Sequence, residues 1–140
     1  MKTSTFAVEI SAPIQKVWKA ISTTEGMNEW AGLKVDTDWQ VNRPIVLSCC
    51  DEKGEVVEYK GEKMIFNGII EVKKESREIA FSYPDKLVGI EKESYVLDEI
   101  DAGTTSVTFT QTCTLEEEAK DQEQSQRQLM ETLKTRLEAN

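Results

Sequence analysis

The order of the periodic segments constrains the fold more than any other feature of this sequence. Residues 3–10 alternate apolar and polar side chains, as a half-buried strand does. A helical pattern occupies residues 13–30, and a period of two then runs from Leu33 to Cys113 with no helical stretch between the strands. One long helical segment ends the chain. Strands that follow one another through short turns predict an antiparallel sheet, so the order indicates an α+β fold.

The helical stretch after the first strand divides into two short helices. An apolar stripe with spacing i, i+3, i+4 and i+7 runs along the first helix and consists of Ile14, Val17, Trp18 and Ile21. Pro13 suits the start of this helix, and the hydroxyl side chains of residues 22–24 can cap a second helix that ends at Gly32. We expect Trp18, and Trp30 at the end of the second helix, to be structural residues that brace one end of the sheet.

The long run of strands supplies the apolar face of the sheet. We predict a first strand over 33–41 with Trp39 and Val41 on its apolar face, followed by a turn at 42–44. The segment "DEKG" at 51–54 is typical of a hairpin loop. Gly68 falls among the inward positions of a later strand, where it leaves a gap or a bend.

The terminal helix has an uneven distribution of apolar residues. Thr114 and Glu117 match a capping box, which predicts a helix of up to about 24 residues, roughly 36 Å long. Residues 116–128 are almost wholly polar. The apolar stripe of the helix lies beyond them and consists of Leu129, Met130, Leu133 and Leu137. This helix can lie across the whole sheet, but only its last third can pack against an apolar surface.

Charge and composition exclude several classes of function. The 17 Lys and Arg residues are outnumbered by 26 Asp and Glu residues, giving a net charge of −9 that disfavours binding to nucleic acid or anionic lipid. No apolar run approaches the roughly 20 residues of a membrane helix, and the first residues lack the pattern of a secretion signal. We expect a single domain over residues 1–140 that is located in the cytoplasm and does not insert into membranes.

The inventory of chemically active residues argues against catalysis. The sequence contains no histidine, no GxGxxG motif and no P-loop. Its three cysteines, Cys49, Cys50 and Cys113, have no C-x-x-C spacing, and adjacent residues of a strand face opposite ways. We therefore predict no catalytic residue, no metal site and no cofactor, and we expect the thiols to be reduced.

Three stretches give the chain a resemblance to a known family. They are "ISAPIQKVWKAISTTEGMNEW" at 10–30, "FNGIIEVKKESREIAFSYP" at 66–84 and "METLKTRLE" at 130–138. On these stretches the sequence resembles the START-like (SRPBCC, helix-grip) superfamily, and within it the homologues of the activator of the heat-shock ninety ATPase. The resemblance implies a curved antiparallel sheet of about six to seven strands, with two short helices after strand 1, wrapped around a long C-terminal helix.

The same resemblance implies a cavity between the sheet and the terminal helix. The candidate lining consists of Phe66, Ile70, Phe81, Tyr95, Leu97, Phe109, Met130 and Leu133. We expect residues 129–137 to close this cavity, with Met130 as the adaptable contact, while the polar stretch before them borders its mouth or stays in solvent. These side chains could equally fill a core without any ligand.

Three functional hypotheses follow. The leading one is non-enzymatic binding of a small apolar ligand, lipid-like or polyketide-like, in the cavity. The alternative is an interaction protein that docks on a chaperone ATPase or another protein partner, as the family name implies. The eukaryotic activators also use a separate N-terminal domain, for which we expect no room in this sequence. A cyclase- or hydrolase-like enzyme is the third hypothesis, disfavoured by the lack of histidine.

Two positions depart from the family pattern. Asn42-Arg43-Pro44 stands where relatives often carry glycines, and Ser125-Gln126-Arg127 stands where they often carry Gly-Trp. The second departure replaces a large aromatic plug with polar groups, which predicts a larger or wetter cavity than in relatives.

Overall fold

The fold was examined in a computed structural model that describes residues 1–139. Its helices are α1 (Ile14–Ser22), α2 (Thr24–Ala31) and α3 (Glu116–Glu138). Its strands are β1 (Lys2–Ile10), β2 (Leu33–Thr37), β3 (Pro44–Cys49), β4 (Glu58–Tyr59), β5 (Glu62–Lys63), β6 (Ile65–Lys74), β7 (Glu78–Ser82), β8 (Ile90–Asp101) and β9 (Thr104–Cys113). One 3₁₀ turn, Leu87–Gly89, precedes β8.

Seven of the strands form one antiparallel sheet in the order β1-β9-β8-β7-β6-β3-β2, and β4 pairs with β5 in a separate hairpin. The first strand pairs with the last along its whole length, from Lys2 opposite Cys113 to Ile10 opposite Thr105. Register shifts in the β6–β7 and β8–β9 pairs are the kind of irregularity that bends a sheet. The predicted α+β helix-grip fold, with its curved sheet, two short helices and long terminal helix, is confirmed.

The two short helices approach each other closely because Gly26 lies between them. A Cβ atom at Gly26 would lie 2.3 Å from the carbonyl oxygen of Lys19, so no other residue fits without moving α1. Thr23 caps α2 by accepting a hydrogen bond from the Gly26 amide at 3.0 Å. Trp30 is buried, and its indole Nε1 donates a hydrogen bond to the Ala20 carbonyl at 2.8 Å. These contacts join α1 and α2 into one rigid brace.

The strand predicted over 33–41 is shorter than its alternating pattern indicated. β2 ends at Thr37, and Trp39 takes a positive φ of 59° in the loop that follows. The Trp39 indole donates a hydrogen bond to the Thr24 hydroxyl at 3.1 Å, while Val41 is exposed. Trp39 therefore secures a loop against α2 instead of extending the sheet.

The start of the terminal helix also differs in detail from the prediction. Leu115, not Thr114, is the N-cap residue of α3, and its amide donates a hydrogen bond to the Glu118 carboxylate at 3.1 Å. The Thr114 hydroxyl instead donates to the Gly89 carbonyl at 3.2 Å. Only the Glu118 half of a capping box forms, one residue later than predicted, because the Leu115 side chain has no acceptor, and Thr114 ties the start of α3 to the 3₁₀ turn.

The hydrophobic core lies between the concave face of the sheet, the brace and the second half of α3. Helix α3 contacts β1, β9 and α2. Met130, Leu133 and Leu137 of α3 are buried together with Trp18 and Phe109. The first half of α3 instead borders the space between the helix and the concave face of the sheet that core side chains do not fill.

Candidate functional site

Two adjoining cavities lie between the sheet and α3. The outer cavity has a volume of about 340 Å³ and is bordered by β4, by the sheet and by residues 121–129 of α3. The inner cavity, of about 160 Å³, reaches α2 and the strands beneath it. Cys49, Phe66, Glu93 and Leu129 line both cavities, so the two adjoin each other at these residues.

The walls of this site are mainly apolar. Val57, Tyr59, Met64 and Ile90 add to the lining of the outer cavity. Met27, Ala31, Leu33, Leu47, Phe81, Tyr83 and Tyr95 add to that of the inner cavity. A concave, mostly apolar surface with a few polar groups is the usual form of a small-molecule site.

Glu93 is the central polar group of the site. Its two carboxylate oxygens accept hydrogen bonds from the Tyr83 hydroxyl at 2.7 Å and from the Gln111 Nε2 at 2.8 Å. Burial raises the pKa of Glu93 above its ordinary value, and these two hydrogen bonds oppose the shift. Each carboxylate oxygen can accept a further hydrogen bond. Glu93 therefore presents a fixed acceptor to both cavities.

Gly68 explains why Tyr83 can hold Glu93 in this place. A Cβ atom at Gly68 would lie 2.9 Å from Cε1 of the Tyr83 ring, so the ring occupies the space that a side chain at Gly68 would take. The ring also packs against Phe66, with centroids 5.5 Å apart. The gap that the sequence predicts at Gly68 is thus filled by the residue that orients the carboxylate.

Gln126 is the second notable polar group. It projects from the polar half of α3, is only 4% exposed and lines the outer cavity. Neither its Nε2 nor its Oε1 has a hydrogen-bond partner among the described residues. A buried polar atom without a partner costs about 1–3 kcal/mol, so this amide stands out against the general rule that buried polar groups are paired.

Cys49 and Cys113 are unreactive in this environment. Burial and the nearby Glu93 raise the pKa of Cys49 to about 11. Burial, followed by the charges of Glu118 and Glu93, raises the pKa of Cys113 to about 11. Both thiols, like that of Cys50, are free of disulfides. At neutral pH these two thiols are protonated and act as small apolar groups.

We expect titration with an aromatic disulfide reagent at pH 8 to find three free thiols after unfolding. In the native protein Cys49 and Cys113 should react at least tenfold more slowly than the same thiols in the unfolded chain, because at a pKa of about 11 only a thousandth of each is thiolate. Cys50→Ser provides the matched control, since it leaves only the thiols of Cys49 and Cys113. A count of one thiol would mean a native disulfide and would contradict this prediction.

The structure places the sequence-predicted lining residues in two groups. Phe66 lines both cavities, and Phe81 and Tyr95 line the inner one. The remaining five lie in the core and line neither cavity; they are Ile70, Leu97, Phe109, Met130 and Leu133. Trp18 and Trp30 are both buried in the core.

Sequence reasoning missed Glu93 and identified the roles of Leu129 and Gln126 only in part. Glu93 could have been found, because it lies two residues before Tyr95 on the same face of β8. Leu129 was grouped with the residues expected to close the cavity. Gln126 was named only within the departure at 125–127, and its burial carries no signal, since its polar neighbours on α3 are mostly exposed.

A larger and more open groove, of about 590 Å³, lies on the other side of β2. Its lining consists of Thr24, Glu25, Asn28, Leu33, Lys34, Val35, Asp36, Val46 and Ser48, none of them buried. It lacks the enclosed apolar walls that favour a small-molecule site.

Within residues 1–139 no group of His, Cys, Asp and Glu side chains is arranged to hold a metal ion. None of the described helices combines the length and the apolar character that crossing a membrane requires.

The sequence matches the family described as "Activator of Hsp90 ATPase homolog 1-like protein" over residues 11–139. Among curated proteins none matches this sequence.

Solved structures share the fold along nearly the whole chain. A solution structure from Cytophaga hutchinsonii is 26% identical, with a TM-score of 0.75, and the match covers 99% of this chain and 95% of that one. The Aha1 dimer from Colwellia psychrerythraea is 18% identical, with a TM-score of 0.69 and coverage of 99% and 97%. The di-domain ARO/CYC BexL from the BE-7585A biosynthetic pathway is 14% identical, with a TM-score of 0.77, and the match covers 96% of this chain and 46% of BexL.

Proposed function

Because this chain belongs to the family of Activator of Hsp90 ATPase homolog 1-like proteins, we propose that it acts by binding a small, largely apolar molecule between its sheet and its terminal helix. The observation that carries the proposal is the pair of adjoining cavities, whose apolar walls converge on Glu93. The outer volume of about 340 Å³ falls within the usual range for ligand sites, roughly 300–1,000 Å³. A lipid-like chain or a small polyketide-like ring system suits such a space.

The chemistry of the lining favours binding over catalysis. Burial, with a contribution from Glu93, raises the pKa of Tyr83 and of Tyr95 well above the ordinary value, and Cys49 has a pKa of about 11. These groups stay protonated at neutral pH and make poor bases or nucleophiles. Both oxygens of Glu93 already accept hydrogen bonds. The fold shared with the ARO/CYC BexL does not by itself carry a reaction over to this chain.

Leu129→Trp is expected to abolish uptake of a neutral solvatochromic dye of the Nile red type. Leu129 lines both cavities, so an indole at this position occupies the space between them. We expect the wild-type protein to bind the dye with a blue-shifted, enhanced emission and the variant to lose at least nine-tenths of that signal.

Ile100→Trp is the matched control for this experiment. It adds the same indole at a site on β8 that is 50% exposed and lines neither cavity. The control should bind dye as the wild type does. Equal dye binding by Leu129→Trp and wild type would place the dye elsewhere and contradict the proposed site.

The family name and the shared fold with an Aha1 dimer support a second candidate, docking on a chaperone ATPase or another protein partner. Val57 and Tyr59, at 38% and 39% exposure, present apolar surface on and beside β4 at the mouth of the outer cavity. Native mass spectrometry of the purified protein separates the candidates, because a co-purifying small molecule supports the first and a retained protein supports the second.

The three free thiols favour a reducing compartment such as the cytoplasm.

A further inference from the structure

The polar groups of the outer cavity share a chemical character that restricts what can bind there. Glu93 and Asp121 are the ionisable carboxyl groups of its lining, while Gln111, Gln122, Ser125 and Gln126 are neutral. No lysine or arginine lines either cavity among the described residues. Lys60, at the mouth, pairs with Asp121 at 3.4 Å. A ligand with a carboxylate or phosphate would therefore meet no positive charge inside.

Gln126 provides an independent sign that the outer cavity is suited to a polar group of a ligand. Its amide is buried and has no partner for either its donor or its acceptor atom. A glutamine can offer two N–H donors and one carbonyl acceptor. A ligand that supplied hydrogen-bonding groups here would recover the cost of this unpaired amide after a small rotation of the side chain.

Resting on the proposed function, we infer that the ligand is an uncharged amphiphile, whose hydroxyl group donates a hydrogen bond to Glu93 and accepts one from the amide of Gln126. Its apolar body lies against Phe66 and Leu129 and extends into the inner cavity. Ligands of this class are long-chain alcohols, phenols and hydroxylated ring systems. Free fatty acids and phosphorylated lipids are excluded by their charge.

The electrostatics of the lining reinforce the exclusion of anions. Burial already raises the pKa of Glu93, which shows that the site penalises negative charge. A second negative charge next to Glu93 would raise that cost further. A neutral hydroxyl avoids it and uses an acceptor position that the Tyr83 and Gln111 hydrogen bonds leave free.

A series of eight-carbon probes tests this inference by displacement of the neutral dye at pH 8. The series consists of 1-octanol, 2-octanone, octanoate and octylammonium, which share an alkyl chain and differ in charge and in the ability to donate. We expect octanol to displace the dye at a concentration at least tenfold lower than octanoate, because octanoate is ionised. Octanone, which cannot donate to Glu93, should require about fivefold more than octanol.

Two variants test whether Glu93 and Gln126 are responsible for the preference for octanol. Glu93→Gln removes the charge and adds an N–H donor, so the preference for octanol over octanoate should fall below about threefold. Gln126→Leu, with octanol displacement corrected for the variant's own dye affinity, should require about fivefold more octanol and melt about 3 °C higher, since the unpaired amide is gone. Gln124→Leu, at an exposed position of α3 that lines neither cavity, is the matched control and should leave both measurements unchanged.

Failure of the inference can be told apart from failure of the proposed function. If the wild-type protein takes up dye and Leu129→Trp does not, the cavity binds ligands whatever the probes show. Displacement by octanoate as readily as by octanol, or tenfold better displacement by octylammonium, would then overturn the inference of an uncharged ligand. If the dye binds neither protein, or both equally, the proposed site itself fails.

Discussion

Replacing Trp18 with alanine is expected to lower the free energy of unfolding by about 3–5 kcal/mol, the usual cost of truncating a buried aromatic residue. Trp18 is only 5% exposed, and its helix α1 contacts α2, β8 and β9. Because Gly26 lets α1 and α2 touch at backbone distance, a cavity left by Trp18 cannot be closed by moving one helix alone. Chemical denaturation, with the change in midpoint and slope measured separately, gives the value.

Gln15→Ala is the control for this experiment, since it alters an exposed position of the same helix. It should change the free energy of unfolding by no more than about 0.5 kcal/mol. If Trp18→Ala also stayed within that range, the indole would not be part of the core, and the role of α1 and α2 as a brace would have to be abandoned.

The fold could be predicted because its signals are periodic and local. The spacing of Ile14, Val17, Trp18 and Ile21 identifies a helix without any knowledge of its neighbours, and the change to a period of two at Leu33 identifies strands. The pattern failed where an apolar residue has a different task. Trp39 continues the alternation of β2 in sequence, but its hydrogen bond to Thr24 and its positive φ place it in a loop.

The cavity could be predicted only in part, since lining and core residues look alike in sequence. Phe66 and Phe109 are both inward-facing aromatic residues, and the curvature of the sheet and the path of α3 decide which of them meets empty space. The polar residues are harder still. The departure from the family pattern at 125–127 predicted polar groups at the cavity, but not that Gln126 in particular would be buried where α3 crosses the sheet.

The path of α3 along the sheet also explains why the two halves of this helix carry different side chains. Its apolar stripe begins only at Leu129, and from there the helix packs into the core, whereas the preceding turns carry Asp121, Gln122 and Ser125 along the outer cavity. A helix that was apolar throughout would fill this space with its own side chains. The polar first half therefore keeps the cavity open, and the apolar second half stabilises the domain.

Leu133→Ala is expected to lower the free energy of unfolding by about 2–5 kcal/mol and to leave dye binding intact. Leu133 is fully buried and lines neither cavity. Leu129, one helical turn earlier, is partly exposed to both cavities, so Leu129→Ala is the matched comparison. It should cost only about 1 kcal/mol, because its side chain buries less apolar surface.

Denaturation and dye binding are measured on Leu133→Ala, Leu129→Ala and Leu129→Trp. These measurements test whether the residues that stabilise the core and those that line the cavity are separate along α3. Leu133→Ala should change stability without changing the dye affinity by more than about twofold, whereas Leu129→Trp should remove dye binding. The reason is geometric: residues four apart share a face of α3, but Leu129 borders both cavities whereas Leu133 is fully buried in the core. A Leu133→Ala protein that stayed folded yet bound the dye tenfold more weakly would show that the cavity extends to Leu133. The division of α3 into a cavity-lining half and a core half would then be wrong.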